Sequence, residues 1–289
     1  MNAHSNTAPR AVISVDVEEW FHILDSPAVP KLAAWGSLES RVQRGMGAVL
    51  EILADTNARA TFFWLGWLAE RQKPLLAQCI AAGHEIASHG YAHVLAYEVG
   101  QKGFGNDVER SKKTLEDLVG RPVRGFRAAG FGIREENMWA FDEIRKAGYD
   151  YDSSVFPASR GHGGMRQSPP YPHIMQTTEG SLIEIPQSTI ECFGKRFSMF
   201  GGGYLRFFPY HVIRWGARRL RKSGLPLVIY IHPRELDPEH PRLPLGMARR
   251  FKSYFNLKSS APKLRRLCQD FSFQTMGELA DQITLNARQ

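Results

Sequence analysis

Several residue types with metal-binding and proton-transfer chemistry recur at the ends of apolar runs. His89 and His93, in Ser-His-Gly-Tyr-Ala-His, are four apart. On a helical turn that spacing puts both imidazoles on one face. Two neutral imidazoles and one carboxylate make a three-ligand zinc-type site with a position open for water. Carboxylates are offered by Asp16-Val17-Glu18-Glu19 at the end of the run Ala11–Val17. In a strand Asp16 and Glu18 project to the same face and Glu19 points away. His232 follows the apolar run 227–231, where it is either a hydrogen-bonded core histidine or, opposite a metal-activated water, a general acid. Arg127 and Asp152 also close apolar runs, where an unpaired charge is costly. Arg127 is expected to pair with Asp16, and Asp152 to pair with His232 and orient its ring, whether as structural ion pairs or as parts of a site.

These residues need a scaffold that brings strand ends together. Strand-like runs 11–17, 60–65, 84–88, 123–128, 149–153, 182–186, 227–231 and 271–275 alternate with helical stretches 38–53, 75–82, 107–119, 135–147, 209–222 and 276–283. Gly83, Gly120 and Gly148 supply helix stops. The stretch 159–172, rich in Gly, Pro and Ser, reads as a long loop, and an irregular segment runs through Gly201-Gly202-Gly203. Repeated βα units imply a mostly parallel sheet closing as an α/β barrel, whose C-terminal strand ends converge on one mouth.

With 289 residues, 43% hydrophobic and 23% charged, the chain is too apolar for a disordered protein and long enough for one large barrel. It is read as a single domain over 1–289, with a polar tail at 1–10 and a basic extension at 234–289 packed on the barrel. No apolar run approaches a membrane span, and the polar start leaves no room for a signal peptide core, so a cytoplasmic location is expected. Cys79, Cys192 and Cys268 are odd in number and far apart, which points to reduced structural thiols. The net charge of +8 is regional: residues 206–266 hold 15 Lys and Arg against 3 Asp and Glu. Arg214, Arg218 and Arg221 share one helical face, and Arg249, Arg250 and Lys252 lie near the exposed-looking aromatics Phe251, Tyr254 and Phe255. That pattern suits peripheral contact with an anionic membrane or a solvated surface; no nucleic-acid-reading module is present.

Taken in order, Ser14-Val15-Asp16-Val17-Glu18, Ser88-His89-Gly90-Tyr91-Ala92-His93, Arg127-Ala128-Ala129-Gly130-Phe131, Asp152-Ser153-Ser154 and Ile231-His232 resemble the five motifs of the polysaccharide deacetylases, carbohydrate esterase family 4 with NodB homology. Ser-Val-Asp-Val-Glu-Glu-Trp, Gly-Gly-Gly-Tyr-Leu-Arg and Ile-His-Pro-Arg-Glu-Leu-Asp-Pro further resemble the exosortase-associated exopolysaccharide deacetylases with a C-terminal domain of unknown function. The resemblance implies a distorted (β/α)7-type barrel, a divalent metal of the Zn²⁺ type, and removal of N-acetyl groups from a glycan or a lipid-linked oligosaccharide precursor. It implies Asp16 as base, Glu18, His89 and His93 as metal ligands with Glu19 in reserve, His232 as acid, Arg127 and Asp152 as supporting catalytic residues, and backbone N–H groups near Gly130 and Phe131 at the reacting carbonyl. Tyr204 and Arg206 are expected to border the substrate groove as sugar platform and polar anchor, unless Gly201-Gly202-Gly203 is a plain loop. Three features depart from the family pattern: Val17 separates the two acidic positions, Ala129 stands where proline is usual, and Arg234 replaces an aromatic residue. Hydrolysis of another C–N bond on the same fold, such as a cyclic ureide, and a silent glycan- or phosphate-binding module are the alternatives.

Overall fold

A computed structural model describes residues 11–24, 26–158 and 163–287. The polar tail 1–10 and part of the loop 159–172 lie outside the described residues. Among the described residues eleven strands follow in chain order: β1 (Ala11–Val17), β2 (Thr61–Trp64), β3 (Glu85–Ser88), β4 (Gly125–Phe126), β5 (Tyr151–Asp152), β6 (His173–Thr177), β7 (Gly180–Glu184), β8 (Ile190–Cys192), β9 (Lys195–Phe197), β10 (Val228–Ile231) and β11 (Phe273–Gln274). The main sheet runs β10-β1-β2-β3-β4-β5-β7-β6, with β11 also pairing the start of β1. The seven strands from β10 to β7 are mutually parallel and only β6 runs antiparallel. Beyond β10, Gly201 makes a parallel bridge to Tyr230. The architecture is a distorted (β/α)7 barrel.

All seven residues of β1 are buried. One face of the strand is apolar, with Ala11, Ile13, Val15 and Val17, while the other carries Val12, Ser14 and Asp16. Helix Val42–Asp55 turns Val42, Met46, Val49 and Leu53 inward at helical spacing. Phe62 and Trp64 in β2 are fully buried, each worth about 1.5–3 kcal/mol of removed apolar surface. Gly45 lets that helix approach the turn after β10: a Cβ there would lie 2.1 Å from the Pro233 carbonyl oxygen. The same contact fixes the segment that carries His232.

Register explains why distant residues meet. Val15 pairs with Ile231, Asp16 with Phe63, Trp64 with Ser88, and Ser88 with Phe126. Glu18, His89, Arg127 and His232 therefore leave neighbouring strands on one rim. The expected strands are present, several of them shorter than expected. The strand β6 and the β8–β9 hairpin were not expected, since these short, half-exposed segments have no sustained alternation of apolar residues. Helix Gly202–Phe207 stands where an irregular segment was expected. Among the described residues no helix is long and apolar enough to cross a membrane.

Candidate active site and metal centre

The His89–His93 pair is brought together by a loop and not by the helical turn that the spacing suggested. Helix Ala96–Val119 begins only after it. Gly90 has φ +78° and His93 has φ +53°, so the chain folds back on itself within four residues. Asp107 holds this bend: its carboxylate accepts hydrogen bonds from the Tyr91 N–H at 2.8 Å and the Ala92 N–H at 2.9 Å. The two rings end with centroids 5.3 Å apart.

Both imidazoles face one carboxylate oxygen. Glu18 Oε1 lies 3.2 Å from His89 Nε2 and 3.0 Å from His93 Nε2. His89 Nδ1 sits 2.7 Å from the Arg127 carbonyl oxygen, so Nδ1 carries a proton and Nε2 is the atom turned to Glu18. A proton on Nε2 bridges to Glu18 Oε1, and although burial opposes the charge, Asp16 and Glu18 raise His89 above its ordinary value; a divalent cation between the two groups would take the place of that proton. His93 Nε2 is buried and lacks a partner in hydrogen-bond geometry. Two imidazole nitrogens and one carboxylate oxygen within 4.8 Å of one another thus fit a divalent metal of the zinc type. Glu18 remains ionised: burial opposes its charge, but His93, His232 and Arg234, with a hydrogen bond from His89, hold it well below the ordinary carboxylate range. Burial keeps His93 below its ordinary value despite Glu18, as a neutral ligand requires.

Glu19 is spent elsewhere. Its carboxylate accepts from the Ser40 hydroxyl and from the N–H groups of Arg41 and Val42, capping helix Val42–Asp55. The cap removes it from ligand duty.

Asp16 pairs with Arg127 as expected, Oδ1 to Nη1 at 2.6 Å, both side chains fully buried. The guanidinium also donates to Ser14 Oγ at 2.9 Å, the Ser153 carbonyl at 3.1 Å and Ser153 Oγ at 3.0 Å, and it lies over the Phe63 ring. The other Asp16 oxygen, Oδ2, is 3.9 Å from His232 Nε2. His232 Nε2 is 3.7 Å from Glu18 Oε1, so His232, Asp16 and Glu18 share one space.

The expected Asp152–His232 pair does not form. Asp152 is fully buried in β5 and accepts from the Ser154 N–H at 2.8 Å and Ser154 Oγ at 2.7 Å, beside its register partner Glu184. Four strands separate β5 from β10, which is why it cannot reach. Glu235 takes the role instead, its Oε1 3.5 Å from His232 Nδ1 across a single 3₁₀ turn. Burial would raise Glu235, yet His232, Arg206 and Arg234 hold it below its ordinary value. Arg234, noted only as a departure, reaches Glu18 Oε2.

Two of the expected substrate contacts are reassigned. Phe131 is buried against Phe156 and Tyr230, and its N–H already donates to the Ala128 carbonyl at 3.1 Å, so it offers neither a surface nor a free donor to substrate. Arg206 is buried and bonds the carbonyls of Lys252, Ser253 and Phe255 at 2.8–3.1 Å, fastening segment 252–255 to helix Gly202–Phe207. Tyr204 stays 39% exposed and lines a cavity of about 540 Å³ that also contains His232 and Arg234. Gly202 and Gly203 line the same cavity. Of the aromatics expected to be exposed beside the basic run, Phe251 and Phe255 are, while Tyr254 is buried with its hydroxyl accepting from the Leu243 N–H.

Comparison with known proteins agrees with this geometry. The polysaccharide deacetylase family model matches residues 39–151, and a domain of unknown function, DUF3473, matches 153–281. Both matched stretches contribute strands to the one main sheet, and the rim draws His89 and Arg127 from the first and His232 from the second. The chain is similar to a peptidoglycan-N-acetylglucosamine deacetylase of Bacillus cereus, 34% identical over 101 residues, 35% of this chain and 46% of that protein. It spans less than half the length of the curated relatives that it matches. A polysaccharide deacetylase candidate from Mycobacterium smegmatis superposes with a TM-score of 0.64 at 20% identity, over 96% of this chain and 92% of that one. An allantoinase structure gives a TM-score of 0.64 at 14% identity, over 96% and 91%. At these identities the superpositions establish the fold alone.

Proposed function

We propose that this chain, matched over 39–151 by the polysaccharide deacetylase family model and over 153–281 by DUF3473, is a metal-dependent hydrolase removing N-acetyl groups from an amino-sugar-containing glycan. The observation that carries this reading is Glu18 Oε1 facing two imidazole Nε2 atoms at 3.0 and 3.2 Å, with Asp16 and His232 beside them. Glu18, His89 and His93 would hold the metal, Zn²⁺ in this proposal. When bound, it supplies polarisation of the acetamide carbonyl and a water of lowered pKa.

The chain's own residues do the proton work. Asp16, fixed by Arg127 through Oδ1, accepts the water proton on Oδ2 as water oxygen bonds to the acetyl carbon. His232, steadied by Glu235, delivers a proton from Nε2 to the amide nitrogen as the C–N bond breaks. Acetate and a free amine leave. Expelling the nitrogen unprotonated is prohibitive, so the acid is as necessary as the base.

The substrate is an N-acetylated glycan or its lipid-linked precursor. For the lipid-linked form we include contact with an anionic membrane, supported by Arg218, Arg219 and Lys222 around half-exposed Trp215 on helix Tyr210–Lys222. Acetate release from N-acetylated oligosaccharides, followed by ¹H NMR with and without chelator, is the test. Metal-dependent acetate supports the reading; no acetate from any N-acetylated glycan overturns it.

A further inference from the structure

The cavity beside His232 is built by the DUF3473 segment, from helix Gly202–Phe207, the turn after β10, and helix Met247–Tyr254. Its charges are lopsided. Arg206, Arg234 and Lys252 line it against one carboxylate, Glu235, and Arg234 is also paired with Glu18. Glu235 is already committed to Arg206 and His232, at 3.7 and 3.5 Å. Lys252 has no acidic partner among the described residues, and only its backbone carbonyl is engaged, by Arg206. A concave cavity with excess positive charge concentrates anions.

The same wall leaves aromatic rings in water. Tyr204, Phe207, Phe251 and Phe255 are 39%, 58%, 53% and 40% exposed, with Phe251 and Phe255 stacked at 4.7 Å. Exposed rings beside a catalytic group provide flat surfaces for sugar faces, and cations among them select an acidic sugar. A volume of about 540 Å³, lined in part by His232, accommodates a sugar unit.

We propose that this cavity is a subsite for a negatively charged sugar unit adjoining the N-acetylated one, with Lys252 as its charge partner and Tyr204 and Phe251 as its stacking surface. The proposal rests on the reading of the protein as a glycan deacetylase and names the substrate class: an acidic, partly N-acetylated glycan. The DUF3473 segment then chooses the substrate as well as supplying His232.

The test compares a heparosan tetrasaccharide, in which glucuronate alternates with N-acetylglucosamine, with neutral chitotetraose. Affinities for the full chain are measured by calorimetry with chelator present, so that binding is read without turnover, and acetate release is followed separately with metal. The acidic tetrasaccharide should bind about tenfold more tightly at low salt, and the preference should shrink as salt screens it. Lys252→Gln should reduce that preference to about threefold or less, and Phe251→Ala should weaken both ligands. Acidic preference without acetate from either sugar would uphold the subsite and overturn the deacetylase reading. Acetate release with equal affinities would do the reverse. Equal affinities together with Lys252-dependent sedimentation on phosphatidylglycerol vesicles would assign the wall to a lipid surface and overturn the subsite.

Discussion

Replacing Arg127 by Met isolates the buried ion pair at the centre of the barrel mouth. The substitution keeps the length and apolar stem of the side chain but removes the charge facing Asp16 at 2.6 Å and three further hydrogen bonds. Asp16 is 2% exposed, so water cannot replace the lost partner. Breaking a buried pair from one side costs about 3–5 kcal/mol, because an uncompensated charge is left behind. For a chain of this length that corresponds to a fall in Tm of about 5–8 °C. The stranded carboxylate relieves its burial by binding a proton, which removes the base, so turnover should fall by at least about 10²-fold. Asp16→Asn in the same background should restore part of the stability, with a coupling of about 1–3 kcal/mol, while activity stays absent. Thermal melts of the two single variants and the double variant measure the cycle, with acetate release in parallel. A Tm within 1 °C of wild type for Arg127→Met, or coupling below about 0.5 kcal/mol, would refute the argument.

Asp107→Ala should leave the Tyr91 and Ala92 N–H groups unpaired, cost about 2–4 kcal/mol, and weaken metal binding by releasing the His93 bend; chelator competition reads the affinity, and an unchanged value contradicts the positioning role. Burial pushes the Cys79 thiol up to about 12 and the Cys268 thiol up to about 11, so iodoacetamide at pH 8 should label only half-buried Cys192 in the native protein and all three thiols in guanidinium. Burial and the neighbouring Asp152 raise Glu184 well above its ordinary value, so the folded state binds a proton that the unfolded chain releases near pH 4.5. Its contribution is full below that pH and is lost as pH rises toward the folded value, so Glu184→Gln should flatten a decline in Tm between pH 5 and 8; an equal slope in both proteins would contradict the shared proton.

Much of the rim was readable because strand periodicity and terminal polar residues are local signals. The run Ala11–Val17 ends in Asp16 and Glu18, and β10 ends in His232; parallel packing does the rest. What escaped depends on contacts across the fold. Asp107 lies on a helix surface stripe in sequence, and only the bend of the His89 loop reveals why a carboxylate is needed there. Glu235 sits three residues after His232, a spacing that a 3₁₀ turn could have suggested once the following Pro233 was read as its first residue. Arg206 looked like a substrate anchor because basic residues beside glycines often face ligands. Its partners are backbone carbonyls some 50 residues away, which no local pattern encodes. Asp152 reads like a histidine partner in isolation, but strand order places it across the barrel from His232.

In the proposed reaction two neighbouring carboxylates have separate roles: Asp16 would move a proton and Glu18 would hold the metal. Metal stoichiometry and acetate release, measured together on Asp16→Asn and Glu18→Gln, test that division directly. The account predicts that Asp16→Asn retains close to the wild-type metal content with turnover lost, whereas Glu18→Gln loses both. A metal-free Asp16→Asn beside a metal-loaded Glu18→Gln would contradict it and exchange the two roles.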